Sequence, residues 1–83
     1  MSVKIHSHAI ERMRERGVTE NEVIKTVEEG ENFPVKFGRV GFRRNFVFRG
    51  SWRGRQYGTK QVEAYVVKEG EDLIVITVVA KYF

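Results

Sequence analysis

Cysteine is absent from this chain of 83 residues. That excludes a disulfide framework, a thiolate zinc site and a cysteine nucleophile, and it suits a reducing compartment. There is one proline and one tryptophan, and only two histidines. No long hydrophobic run exists. The longest, Leu73–Ala80, is interrupted at Thr77, far short of the ~20 residues of a membrane span. The opening MSVKIHSHAIERM has no apolar core of a secretory signal. These absences predict a soluble, cytoplasmic protein without a membrane partner. The length predicts a single domain over residues 1–83, with too little chain for a dinucleotide fold, a barrel enzyme or a multi-helix bundle. Hydrophobic residues at 41% and charged residues at 31% read as globular.

Acidic residues are missing where they matter most. Residues 32–62 hold eight basic side chains and no carboxylate, whereas residues 1–31 hold five basic against seven acidic and residues 63–83 two against four. The overall balance is +4. Arginine dominates the basic stretch: Arg39, Arg43, Arg44, Arg49, Arg53 and Arg55, with Lys36 and Lys60. Phe33, Phe37, Phe42, Phe46, Phe48, Trp52 and Tyr57 are interleaved. The guanidinium fork suits phosphate, and aromatic faces suit unstacked bases. The stretch therefore reads as a nucleic-acid surface, with Arg39, Arg43, Arg44, Arg49, Trp52, Arg53, Arg55 and Lys60 as its contact residues. The plainer reading is a hairpin with core aromatics on one face and solvated arginines on the other.

Local signals place two helices first. Ser7 is positioned to cap a helix from about His8 to Arg16, with Ala9, Ile10 and Met13 inward and Gly17 at the left-handed end position. Thr19-Glu20-Asn21-Glu22 is a capping box, flanked by Val18 and Val23 as a hydrophobic staple. The second helix runs to about Glu29, burying Val23, Ile24 and Val27, and Gly30 ends it. The hydrophobic period then shortens towards two. Strands are expected at Val35–Phe37, Phe42–Arg49, Gln61–Lys68 and Leu73–Lys81, with Gly50–Gly54 a loop and Glu69–Asp72 a turn. The near-continuous apolar run in Leu73–Lys81 predicts a central strand. The expected fold is α+β, two N-terminal helices packed on one face of a four-stranded antiparallel sheet.

Chemistry-bearing residues are few. His8, Arg12 and Arg16 recur at i, i+4 and i+8, on one helix face. One reading is local pairing, Glu15 with Arg12 at i−3 and Glu11 with Arg14 at i+3. The other is a cationic row facing a phosphate, with His8 as a proton-transfer group. His6-x-His8 could chelate a metal only with a third ligand, and no further histidine or cysteine exists. The glycines match no phosphate loop or dinucleotide fingerprint. No cofactor is expected. Tyr82 and Lys81, at the end of the last strand, are further proton-transfer candidates or, more plainly, cover for the core.

The segment HAIERMRERGVTENEV carries the pattern HAxxRxxxRG[IV]: His8-Ala9, Arg12 and Arg16-Gly17-Val18. This resembles the opening signature of a prokaryotic family of small domains of unknown function. The arginine-rich hairpin, QVEAYVVK and LIVITVVAKY extend the resemblance over most of the chain. Such domains look like distant relatives of the RelE/ParE toxin superfamily, which includes mRNA-cleaving toxins and gyrase inhibitors neutralised by antitoxins. The resemblance implies a RelE-like fold, binding of RNA or the ribosome, and an antitoxin partner with an acidic segment. It also implies metal-independent cleavage by arginine, lysine, histidine and tyrosine side chains. On that reading His8, Arg12, Arg16 and Tyr82 are the candidate catalytic residues. A non-catalytic nucleic-acid module and a protein-interaction domain facing an acidic partner are the alternatives.

Overall fold

The computed structural model describes residues 2–83. The chain runs β1 (Val3–Ile5), α1 (Ser7–Arg16), α2 (Glu20–Glu29), β2 (Glu31–Pro34), β3 (Val40–Trp52), β4 (Arg55–Glu69) and β5 (Asp72–Tyr82). The strands form one sheet in the order β1-β5-β4-β3-β2. It is a five-stranded mixed sheet, which corrects the expected four-stranded antiparallel one. The α+β class and both helices against the sheet remain. The added parallel strand is β1, whose three residues pair with Leu73–Val75. Three residues carry no readable period, and a parallel partner 70 positions away leaves no local mark. Lys4 and Ser2 hold this edge by contacting the Asp72 carboxylate.

Both helix ends follow local chemistry. Thr19 and Glu22 form the reciprocal capping box, and Val18 and Val23 beside it are buried. Gly17 closes α1 at φ 69. The N-cap of α1 is His6, not Ser7. The His6 imidazole accepts from the His8 amide at 3.1 Å, the role that a serine or aspartate oxygen fills elsewhere. In α2 the inward stripe is Val23, Thr26 and Val27 rather than Val23, Ile24 and Val27. Thr26 is accommodated in the core because its hydroxyl donates to the Glu22 carbonyl at 2.7 Å. Ile10 of α1 lies exposed, leaving Ala9 and Met13 inward.

The core lies between the helices and the sheet: Ala9, Met13, Val18, Val23 and Val27 against Val62, Ala64, Val66, Val75 and Val78. Each buried valine contributes roughly 1.5–3 kcal/mol. The central strand is β4, not β5. In β4 the core residues alternate at Val62, Ala64 and Val66. In β5, Val75 and Val78 are three apart, which strict alternation forbids. A register shift opposite Tyr65 and Val66 makes it possible. The continuous apolar run of β5 thus reflects a bulge and a partly paired edge, not burial at the centre.

The expected strand Val35–Phe37 is absent, because β2 ends at Pro34. Phe37 and Gly38 instead turn the chain at φ 65 and 70, with the Phe37 ring exposed. The expected loop Gly50–Gly54 contracts to Arg53-Gly54, at φ 51 and 82 between paired Trp52 and Arg55. Two successive positive φ values are the tight hairpin turn that matches strand twist.

Candidate functional site

Beyond Ile5 the edge of β5 has no strand partner among the described residues, and α1 lies along it. The His8/Arg12/Arg16 row follows this edge, but its members divide. Arg16 donates to the Val78 carbonyl at 2.7 Å, satisfying the strand edge that β1 leaves open. His8 and Arg12 instead line a groove of about 480 Å³ with His6, Ile76 and Thr77. Arg39, from the loop between β2 and β3, completes the lining. No carboxylate belongs to the lining. Arg12 does hold Glu15 of its own helix at 3.0 Å. An exposed i,i+3 pair of this kind is worth only ~0.3–0.5 kcal/mol, so an incoming anion can displace it.

Tyr82 lies elsewhere. Its hydroxyl donates to the Arg16 carbonyl at 2.6 Å, and its ring stacks on Trp52 at 5.0 Å and 14°. Phe48 meets Tyr82 edge-on and Tyr57 is tilted against it. Burial, then the Glu22 charge, holds the Tyr82 hydroxyl above the usual tyrosine range, and Arg53 opposes this. The hydroxyl stays protonated and remains a donor. A depression of about 370 Å³ here is lined by Glu15, Arg16, Trp52, Arg53, Ala80 and Tyr82. The four catalytic candidates therefore fall into two pairs: His8 with Arg12, and Arg16 with Tyr82.

Gly17 lies beneath this aromatic cluster. A Cβ there would stand 2.5 Å from the Trp52 ring, on a backbone at φ 69. Gly17→Ala is expected to destabilise the fold by about 2–3 kcal/mol, from left-handed strain and displacement of the indole. Thermal unfolding of the variant checks this, with a loss within ~0.5 kcal/mol as the contrary result. In the HAxxRxxxRG segment, Ala9, Arg16 and Gly17 are thus bound into the fold, while His8 and Arg12 face the groove.

The basic stretch is less bare in space than in sequence. Arg43 meets Glu31 at 2.9 Å and lies over Phe33, and Glu31 raises its pKa further. Arg44 meets Glu29 at 3.2 Å and lies over Phe46. Lys60 is buried. Its ammonium contacts the Glu22 carboxylate at 2.8 Å and the Gly17 carbonyl, between the rings of Phe48 and Tyr82. Arg53 donates to the Glu15 carbonyl at 3.2 Å and covers Trp52, whose ring also carries Tyr82. Arg49, at φ 47, and Arg55 are exposed. Arg39, Arg49, Arg53 and Arg55 have no carboxylate partner among the described residues.

His6, Ile76 and Thr77 line the groove without any sequence pattern that marks them as site residues. In sequence, His6 reads only as half of the His6-x-His8 chelating pair. Among the described residues no three His, Cys, Asp or Glu side chains come together to hold a metal ion. No helix among them is long and apolar enough to cross a membrane.

No curated protein and no solved structure matches the chain. A family model does, over residues 5–80, and by that match the chain belongs to the domain-of-unknown-function family DUF4258.

Proposed function

We propose that the groove binds the phosphodiester backbone of RNA and that His8 transfers a proton in its metal-independent cleavage. The observation that carries this reading is the convergence of His8, Arg12 and Arg39, from a helix and a distant loop, in one groove without a carboxylate in its lining. The distant resemblance of such domains to the RelE/ParE superfamily, whose ribonucleases work without metal, points the same way. In the proposed step the 2′-oxygen of RNA forms a bond to phosphorus while the bond to the 5′-oxygen breaks. His8 takes the 2′-OH proton, Arg12 and Arg39 hold the developing charge on the phosphoryl oxygens, and groove water protonates the leaving 5′-oxygen. The products are a 2′,3′-cyclic phosphate and a 5′-hydroxyl. The substrate is mRNA, free or on the ribosome.

Salt titration of binding to a single-stranded RNA tests the binding half. Each phosphate contact contributes about −0.7 to the slope of log affinity against log salt. Arg39→Ala is expected to reduce the slope by about that amount. Arg43→Ala, whose charge Glu31 already meets, changes it less. Failure of the wild-type protein to bind RNA at ~0.1 M salt overturns the reading.

A second reading has its own observation. Arg49, Arg53 and Arg55 cluster around the β3–β4 turn without a carboxylate partner among the described residues, a charge pattern that suits an acidic segment of a protein partner such as an antitoxin.

A further inference from the structure

The reading above uses one of the two imidazoles in the groove. His6 also lines it, and its ring is held in a defined way. The His8 amide N–H donates to His6 Nδ1 at 3.1 Å. That bond fixes the ring orientation, since a half-turn would present a carbon to the amide. It also fixes the tautomer. A nitrogen that accepts a hydrogen bond carries a lone pair, so in the neutral ring the proton resides on Nε2. Nε2 has no hydrogen-bond partner among the described residues.

We infer that His6 is a phosphate-binding residue of this groove, donating from Nε2–H to a phosphoryl oxygen beside Arg12 and Arg39. The inference rests on the RNA-binding reading and divides the two histidines by role. His6 in this tautomer has no free lone pair facing outward, so it cannot take the 2′-OH proton. The His8 ring makes no hydrogen bond among the described residues and is free to accept one. The N-cap bond therefore does two things at once: it starts α1 and it orients a donor into the groove.

A cap and a ligand contact are separable by one substitution. Asparagine is among the best N-cap residues, and its side-chain oxygen can accept from the His8 amide. It is too short to extend a donor to where Nε2 lies. His6→Asn is expected to keep the melting temperature of the wild type and to bind a short oligouridylate about tenfold more weakly, the usual loss for a hydrogen bond to a charged group. Imidazole nitrogen NMR of the wild-type protein is a second readout independent of any variant. It is expected to show His6 as the Nε2–H tautomer, with the Nε2 resonance moving when oligouridylate is added. A folded His6→Asn protein that binds oligouridylate as tightly as the wild type overturns the inference and leaves the RNA-binding reading standing. So does an Nδ1–H tautomer. A wild-type protein that does not bind oligouridylate overturns both.

Discussion

Lys60→Met is expected to lower the stability of the fold by about 3–4 kcal/mol, the range for removing one partner of a buried ion pair. The side chain is 4% exposed and bonds both the Glu22 carboxylate and the Gly17 carbonyl. Methionine keeps the length of the stem but leaves the Gly17 carbonyl without the ammonium donor and the Glu22 carboxylate, which keeps its bond from the Thr19 amide, without its cation. Glu22, at 21% exposure, recovers some water, which keeps the loss at the lower end. Lys60 also ties β4 to the corner between α1 and α2, and Glu22 is the same residue that closes the α2 capping box. The disturbance therefore spreads to a helix start. For a domain of this size the melting temperature falls by roughly 15–25 °C. Calorimetry or circular dichroism measures it. A loss below ~1 kcal/mol would mean that the ammonium is hydrated and the pair unimportant. RNA binding by the variant, measured below its melting temperature, is expected to match the wild type.

His8→Ala has the opposite profile. The side chain is exposed on α1, and its ring contributes nothing to the core. Stability is expected to stay within ~0.5 kcal/mol of the wild type. RNA affinity is expected to change little, because Arg12 and Arg39 supply the charge. Cleavage is expected to fall by about 10²–10⁴, the usual contribution of a positioned proton-transfer group. Single-turnover cleavage of a labelled RNA reads the rate, and the salt titration reads the binding. Equal cleavage by wild type and variant would remove His8 from the chemistry.

These two residues also show what the linear pattern can and cannot tell. Features that depend on a few neighbouring residues are readable: the Thr19 capping box, Gly17 after α1, the end of α2 at Gly30, and a strand over Gln61–Lys68, which lies within β4. Features that depend on distant pairing are not. Lys60 appears as one more cation in a stretch without carboxylates, yet its partner Glu22 is 38 positions away. Glu31 and Glu29 likewise approach Arg43 and Arg44 only through the pairing of β2 with β3 and the packing of α2. Charge segregated along the chain is partly remixed in space. β1 is hidden for the same reason, being three residues paired with β5, 70 positions away.

The groove itself was half legible. Helical spacing put His8 and Arg12 on one face, and the structure keeps them together. The same spacing includes Arg16, which satisfies the open edge of β5, a strand whose apolar run suggests the middle of a sheet. Arg39 arrives from a loop whose path depends on the turn at Phe37 and Gly38, so no spacing rule could pair it with His8. His6 looked like half of a metal motif, because histidine is not among the residues usually expected to cap a helix.

The most direct test of the groove as a ribonuclease site is a single cleavage assay. The purified protein is incubated in EDTA with an mRNA, free and on translating ribosomes, and the products are mapped by primer extension and end chemistry. The account predicts new ends bearing a 2′,3′-cyclic phosphate, lost in His8→Ala and retained in Arg43→Ala. An mRNA that stays intact in both settings contradicts it.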